Sequence, residues 1–86
     1  MKIRSQPVNA ILDSGAAVCV ITKTLADKLH LDITQASNTI IVTADGTRKR
    51  ALGQIPKVSV MVQDILILTT FHVIDSRDDT LLLGIN

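Results

Sequence analysis

The chain has 86 residues, 47% of them hydrophobic and 20% charged, with a formal net charge of +1. That balance excludes a disordered chain and offers no basic or acidic surface for nucleic acid or an anionic membrane. Phe71 is the single aromatic, so a stacking platform for single-stranded nucleic acid is missing. Cys19 is the single cysteine, which rules out an internal disulfide and a four-cysteine zinc site and leans mildly to a reducing compartment. No apolar stretch is long enough to span a bilayer.

The length allows one domain, and the abundance of Ile, Val and Thr favours strands. Lys2 to Arg4 reads as a short strand and Ser5-Gln6-Pro7 as a turn, because Pro7 presets φ and removes a donor. Val8 to Leu12 is then a second strand, antiparallel to the first. Asp13-Ser14-Gly15 breaks it, and Val18 to Ile21 resumes extended structure. From Thr22 to His30 the period changes. Leu25, Ala26 and Leu29 fall on one helical face, Lys23, Asp27 and Lys28 on the other, and Thr22 or Thr24 caps the start. Thr39 to Thr43 is a strand, Ala44-Asp45-Gly46-Thr47 a hairpin turn, and Arg48 to Ile55 the return, with Gly53 as a bulge. Lys57 to Gln63 and Ile65 to Ile74 pair around Asp64. Ser76 to Asp79 is a polar loop, and Leu81-Leu82-Leu83 is a buried strand stopped by Gly84.

The stretch "AILDSGA" carries the chemistry. Asp-Ser-Gly is common in plain turns. Here it sits between two apolar strands, where a carboxylate is desolvated and needs a use or a partner. Two carboxylates side by side share one proton, so one takes a proton from water while the other gives one to a carbonyl oxygen. This chain has a single Asp in such a setting. A second copy related by a two-fold axis supplies the other.

"AILDSGA" resembles the Asp-Ser/Thr-Gly-Ala signature of the retropepsins, the aspartic proteases of retroviruses and retrotransposons. "IRSQPVNAILDSGA" looks like the hairpin leading into their catalytic loop, "VTADGTRKRALGQI" like their flap, and "TLLLGIN" like their hydrophobic-hydrophobic-Gly motif. The resemblance covers nearly the whole chain. It implies an all-β, retropepsin-like acid protease fold: a barrel-like half with a flap hairpin and one short helix. It implies an aspartic endopeptidase that cleaves a polyprotein as a homodimer, with Asp13 as catalytic acid/base, Ser14 bracing the two catalytic loops and Gly15 admitting the substrate backbone. Ala16 and Ala17 would lie beside the substrate, Ala44, Asp45 and Gly46 in the flap, and Leu82, Leu83 and Gly84 beneath the catalytic loop. Retroviral members carry acidic residues where this chain has Ala17 and Val18. The substrate would be an extended peptide, with no cofactor and no metal, in the cytoplasm or within virus-like particles. Residues 1–86 would form one domain, a core cut from a longer polyprotein.

The remaining polar residues have ordinary readings. Cys19 is a small buried hydrophobe with no base nearby in sequence. His30 ends the helix on its polar side, His72 faces solvent from a strand, and Arg48-Lys49-Arg50 is a solvated hairpin arm. Asp75, Asp78 and Asp79 lack the ligand spacing of a calcium loop. An aliphatic lining of Ile11, Val18 and Val20 points to apolar side chains flanking the scissile bond. The rival reading is a non-catalytic interaction or dimerisation module that keeps the same fold; a small β-barrel nucleic-acid binder is disfavoured by charge and aromatic content.

Overall fold

The computed structural model describes residues 2–3, 6–13, 18–42 and 46–84, with Leu12 and Asp13 described by their backbone. Among the described residues, nine strands and one helix follow in order: β1 (Lys2–Ile3), β2 (Gln6–Pro7), β3 (Ala10–Asp13), β4 (Cys19–Thr22), α1 (Lys23–Lys28), β5 (Ile40–Val42), β6 (Arg48–Arg50), β7 (Gly53–Val62), β8 (Ile65–Ile74) and β9 (Leu81–Gly84). Seven strands form one sheet, ordered β2-β1-β7-β8-β4-β9-β3, which curls into a half-barrel; β5 and β6 form a separate two-stranded sheet.

The predicted start is redrawn. Gln6 and Pro7, expected in a turn, pair with β1 as an antiparallel strand, Ile3 opposite Gln6. β2 is the outermost strand, where a proline forfeits no ladder bond. The next strand is not antiparallel to the first: β3 lies at the opposite end of the sheet, parallel to β9.

The helix forms where the apolar period predicts it, shorter at its end. Thr22 is the N-cap, its hydroxyl accepting from the Leu25 N–H, and Leu29 is the C-cap. His30 adopts φ +57°, the His30 N–H bonds the Asp27 carbonyl (3.1 Å) and the Leu31 N–H bonds the Ala26 carbonyl (2.9 Å). These are the paired bonds of a Schellman stop, so His30 is an exposed left-handed terminator and not the last helical residue.

The expected continuous return from Arg48 to Ile55 is interrupted at Ala51 and Leu52, where the chain leaves the small sheet and enters the large one. Gly53 is not the bulge. The register slips between Ile55 and Val58, at Pro56, which lacks an N–H, and Lys57, which has φ +56°. Gly53 instead meets another segment: a Cβ there would lie 2.2 Å from the Ile33 Cγ2 and 2.9 Å from the Gln35 carbonyl oxygen. The β7–β8 hairpin closes as predicted around Asp64, with both Gln63 and Asp64 at positive φ, which is the geometry of a two-residue type I′ turn.

The main core joins Ile3, Ile21, Leu25, Ala26, Leu29, Leu31, Ile55, Val58, Val60, Phe71, Val73 and Leu81, with Phe71 its largest fully buried side chain. A second cluster gathers Val20, Ile41 and Ile74, with Val18 and Leu82 packed against it. One large aromatic and a set of β-branched and leucine side chains therefore fill the space between the curled sheet and α1.

Candidate active site

β3 brings the backbone of Asp13 to the end of its strand, opposite Gly84 in register; Ile11 lies opposite Leu82 and Leu12 opposite Leu83. β9 is clasped on its other side by β4, where Val20 pairs with Leu82 and Ile21 with Leu81. β4 thus pairs with β9 beside the start of β3, and β9 runs on alone alongside Leu12 and Asp13. Successive residues of β9 then serve two purposes, because side chains alternate across a strand. Leu82 packs on the second cluster and Leu83 on the main core, while Gly84 brings a strand without a side chain alongside Asp13.

The support continues outward. The Thr22 hydroxyl accepts from both the Leu25 N–H (3.3 Å) and the Thr80 N–H (3.2 Å), and the Thr22 N–H bonds the Thr80 carbonyl (3.1 Å). The buried side chain thus fixes the start of α1 and the entry to β9 together. The Thr24 hydroxyl donates to the Ser76 carbonyl at 2.9 Å and ties the preceding loop to the helix. Thr22 was legible as a cap; its second partner, 58 residues on, was not.

The hairpin β5–β6 is rooted on the same framework. Ile41, its buried residue, sits in the cluster with Val20, Ile74 and Leu82, so the hairpin base and the strand under Asp13 share one small core. The Ala51 N–H bonds the Thr39 carbonyl (2.9 Å), and the Lys49 ammonium donates to the Asp75 carbonyl (3.2 Å). Ile40 and Val42 alternate with Ile41 and stay exposed. Gly46, with φ +86°, supplies the left-handed turn residue predicted there.

Of the sequence-predicted site residues, the structure places Asp13 (by backbone), Leu82, Leu83 and Gly84 together and puts Gly46 at the hairpin turn. Ser14, Gly15, Ala16, Ala17, Ala44 and Asp45 lie outside the described residues. The proposed aliphatic lining divides. Ile11 is exposed, Val18 is half-buried, and Val20 is buried in the second cluster. Cys19 is half-buried against the main core. His72 is half-buried too, with its Nδ1 3.0 Å from the Ser37 hydroxyl, which also accepts from the Thr39 N–H (3.2 Å). The expected solvent-facing histidine is therefore a tether for the segment entering β5.

A cavity of about 290 Å³ lies at the β7 bulge, lined by Ile3, Leu31, Ile55, Pro56, Lys57, Val58 and Ser59. It takes no residue from β3 or β9 and is separate from the Asp13 region. Among the described residues, no three His, Cys, Asp or Glu side chains gather where they could hold a metal ion.

A half-barrel sheet with its third strand ending in Asp13, flanked by a Leu-Leu-Gly strand, with one short helix, has the fold of the retropepsin-like aspartic proteases. The family model described as "gag-polyprotein putative aspartyl protease" matches residues 1–86, and the chain belongs to that family. It is also 37% identical over 87 aligned positions to DNA damage-inducible protein 1 of Candida glabrata; the match covers 100% of this chain and 20% of that protein. The chain thus spans about a fifth of the length of that curated relative.

Proposed function

We propose that the chain is an aspartic endopeptidase that works as a homodimer, each copy contributing Asp13. The observation that carries the reading is the strand end itself: Asp13 sits beside Gly84 at the tip of paired parallel strands, in a chain that belongs to a family of aspartyl proteases. Across a two-fold axis near that tip, two Asp13 carboxylates hold one proton between them. The ionised member takes a proton from a water, whose oxygen attacks the scissile carbonyl carbon while the protonated member gives its proton to the carbonyl oxygen. The tetrahedral diol then collapses: the C–N bond breaks, the amine leaves with a proton from one carboxyl, and a diol hydroxyl gives its proton to the other, which restores the shared proton. Ser14 braces the two loops, and Gly15, Ala16 and Ala17 leave room for an extended substrate held as an added strand. The Ala44-Asp45-Gly46 turn covers it and excludes water. The substrate is a polyprotein segment with apolar side chains flanking the cut.

The test is cleavage of a peptide library at mildly acidic pH over a range of protein concentrations, beside Asp13→Asn. Cleavage rises faster than linearly with concentration, and D13N lowers it by about 10²–10⁴-fold or more while the thermal melt is retained. The pH–rate profile is bell-shaped, and its two apparent pKa values belong to the pair. A D13N chain that cleaves at the parent rate sinks the proposal. A folded parent that cleaves nothing at any concentration leaves the non-catalytic interaction module in its place.

A further inference from the structure

We propose that the first half of β8 is a self-association surface, at which two copies of this chain pair antiparallel along Ile65–Thr70. β8 is paired on one side with β7 from Ile65 to Val73, across the bulge, but on the other side β4 covers only Phe71 to Ile74. Ile65 to Thr70 therefore form a sheet edge with no partner strand among the described residues. The side chains on that edge are apolar and open: Ile65 is 63% exposed, Leu66 60%, Ile67 45% and Leu68 64%, and Met61 beside Leu66 is 37% exposed.

Edges are ordinarily guarded by charge, proline or shortness. The other edges of this fold are. β2 holds Pro7, β3 is four residues long, β5 is only three, and β6 is Arg-Lys-Arg. Ile65–Thr70 has no charged residue and no proline over six residues. Its lack of a guard sets it apart from every other edge described.

The register follows from the hairpin. Val62 and Ile65 flank a two-residue turn and form its closing hydrogen-bonded pair. Ile65, Ile67 and Thr69 then point their backbone groups at β7, and Leu66, Leu68 and Thr70 point theirs outward. Directly opposed residues in an antiparallel pair share a face, so a two-fold axis normal to the sheet must pass beside a single residue opposed to itself. Centred on Ile67, it sets Leu66 against Leu68 of the partner subunit in hydrogen-bonded pairs on both sides. The four leucines form one stripe on the outer face, continued by Met61. The occupant is a second copy because the surface is complementary to itself. Counted over both faces of the edge, Leu66, Leu68 and Met61 on one and Ile65 and Ile67 on the other, the exposed apolar area is roughly 500 Å² per copy. Two such edges bury less than roughly 1,000 Å² in all, the range of weak, transient contacts. That area fits reversible, concentration-dependent pairing. The surface is also separate from Asp13, which lies three strands away on β3.

The test uses the full chain carrying Cys19→Ser, with one new thiol at Ile67→Cys or, as an exposed control in the loop after α1, at Asp32→Cys. The two Ile67 positions form a non-hydrogen-bonded pair, the geometry that accepts a disulfide. Under mild oxidation I67C gives covalent dimer about tenfold or more faster than D32C at equal concentration, because pairing raises the local thiol concentration. Adding L66K and L68K, both at open positions, returns I67C to the control rate, and sedimentation of L66K/L68K without new thiols shows a lower mean mass than the parent. Thermal melts verify that each variant is folded. Equal oxidation rates for I67C and D32C, or an I67C rate untouched by the two lysines, overturns the proposal. Because this disulfide reports only on the β8 edge, the outcome is independent of whether Asp13 is catalytic.

Discussion

Gly53→Ala isolates a single close approach between segments twenty residues apart. The added Cβ would fall 2.2 Å from the Ile33 Cγ2 and 2.9 Å from the Gln35 carbonyl oxygen. The first contact is relieved by rotating an exposed side chain. The second is not, because Gln35 and Gln54 exchange backbone bonds of 2.9 and 3.2 Å that hold that carbonyl in place. Overpacking of this kind costs about 1–3 kcal/mol. Weakening the bridge adds about 1 kcal/mol. Alanine's lower freedom in the unfolded chain returns about 0.4–1 kcal/mol. The net is about 2 kcal/mol, which for a domain of this size lowers Tm by roughly 8–16 °C. Differential scanning calorimetry or a far-UV CD melt reads it. Gly46→Ala is the companion: nothing lies within 4 Å of its Cβ, and the φ of +86° alone carries a cost of about 1 kcal/mol. A G53A chain melting within about 2 °C of the parent refutes the argument, since the Gln35 segment would then be free to move away.

Two further outcomes follow from the framework under Asp13. Thr22→Val keeps the shape of a buried side chain but removes the acceptor for the Leu25 and Thr80 N–H groups; urea unfolding loses about 2 kcal/mol, and Thr22→Ser recovers most of it. A T22V chain as stable as the parent means that neither bond matters. Lys28→Ala removes an ion pair to Asp79 between two open side chains, so stability falls by less than about 1 kcal/mol and the difference shrinks in high salt. A larger, salt-insensitive loss shows that Lys28 anchors the loop by other means.

What the sequence disclosed depended on the range of the interaction. The helix was readable from Leu25, Ala26 and Leu29 with Thr22 before them, because capping and periodicity are local. Its stop at His30 was not, since nothing local marks histidine as a left-handed residue in the way glycine would. The β7–β8 hairpin was readable from two apolar runs around Asp64. The bulge was assigned to Gly53, the residue with the most backbone freedom, whereas it falls at Pro56–Lys57; the reason for Gly53 is the close approach of the Ile33–Gln35 segment, which no local window contains. At the site, Asp-Ser-Gly after an apolar strand was visible by itself. The parallel pairing of β3 with β9 was not, because partners about seventy residues apart leave no periodic trace; only the likeness to a family located Leu82, Leu83 and Gly84. The same distance hid the Thr22–Thr80 bonds.

The position of β9 between β3 and β4 also dictates an order of assembly. Residues 81–84 must slot between strands formed by residues 10–13 and 19–22, closing a loop of some sixty residues and satisfying both neighbours at once. Contacts that distant bear their loop entropy before they yield any stability, so they form late. Until that last strand zips in, Leu81 is out of the core and the tip of β3 has no parallel partner. A chain in which that strand has not yet paired therefore lacks a finished strand end at Asp13, and the last strand to pair completes it.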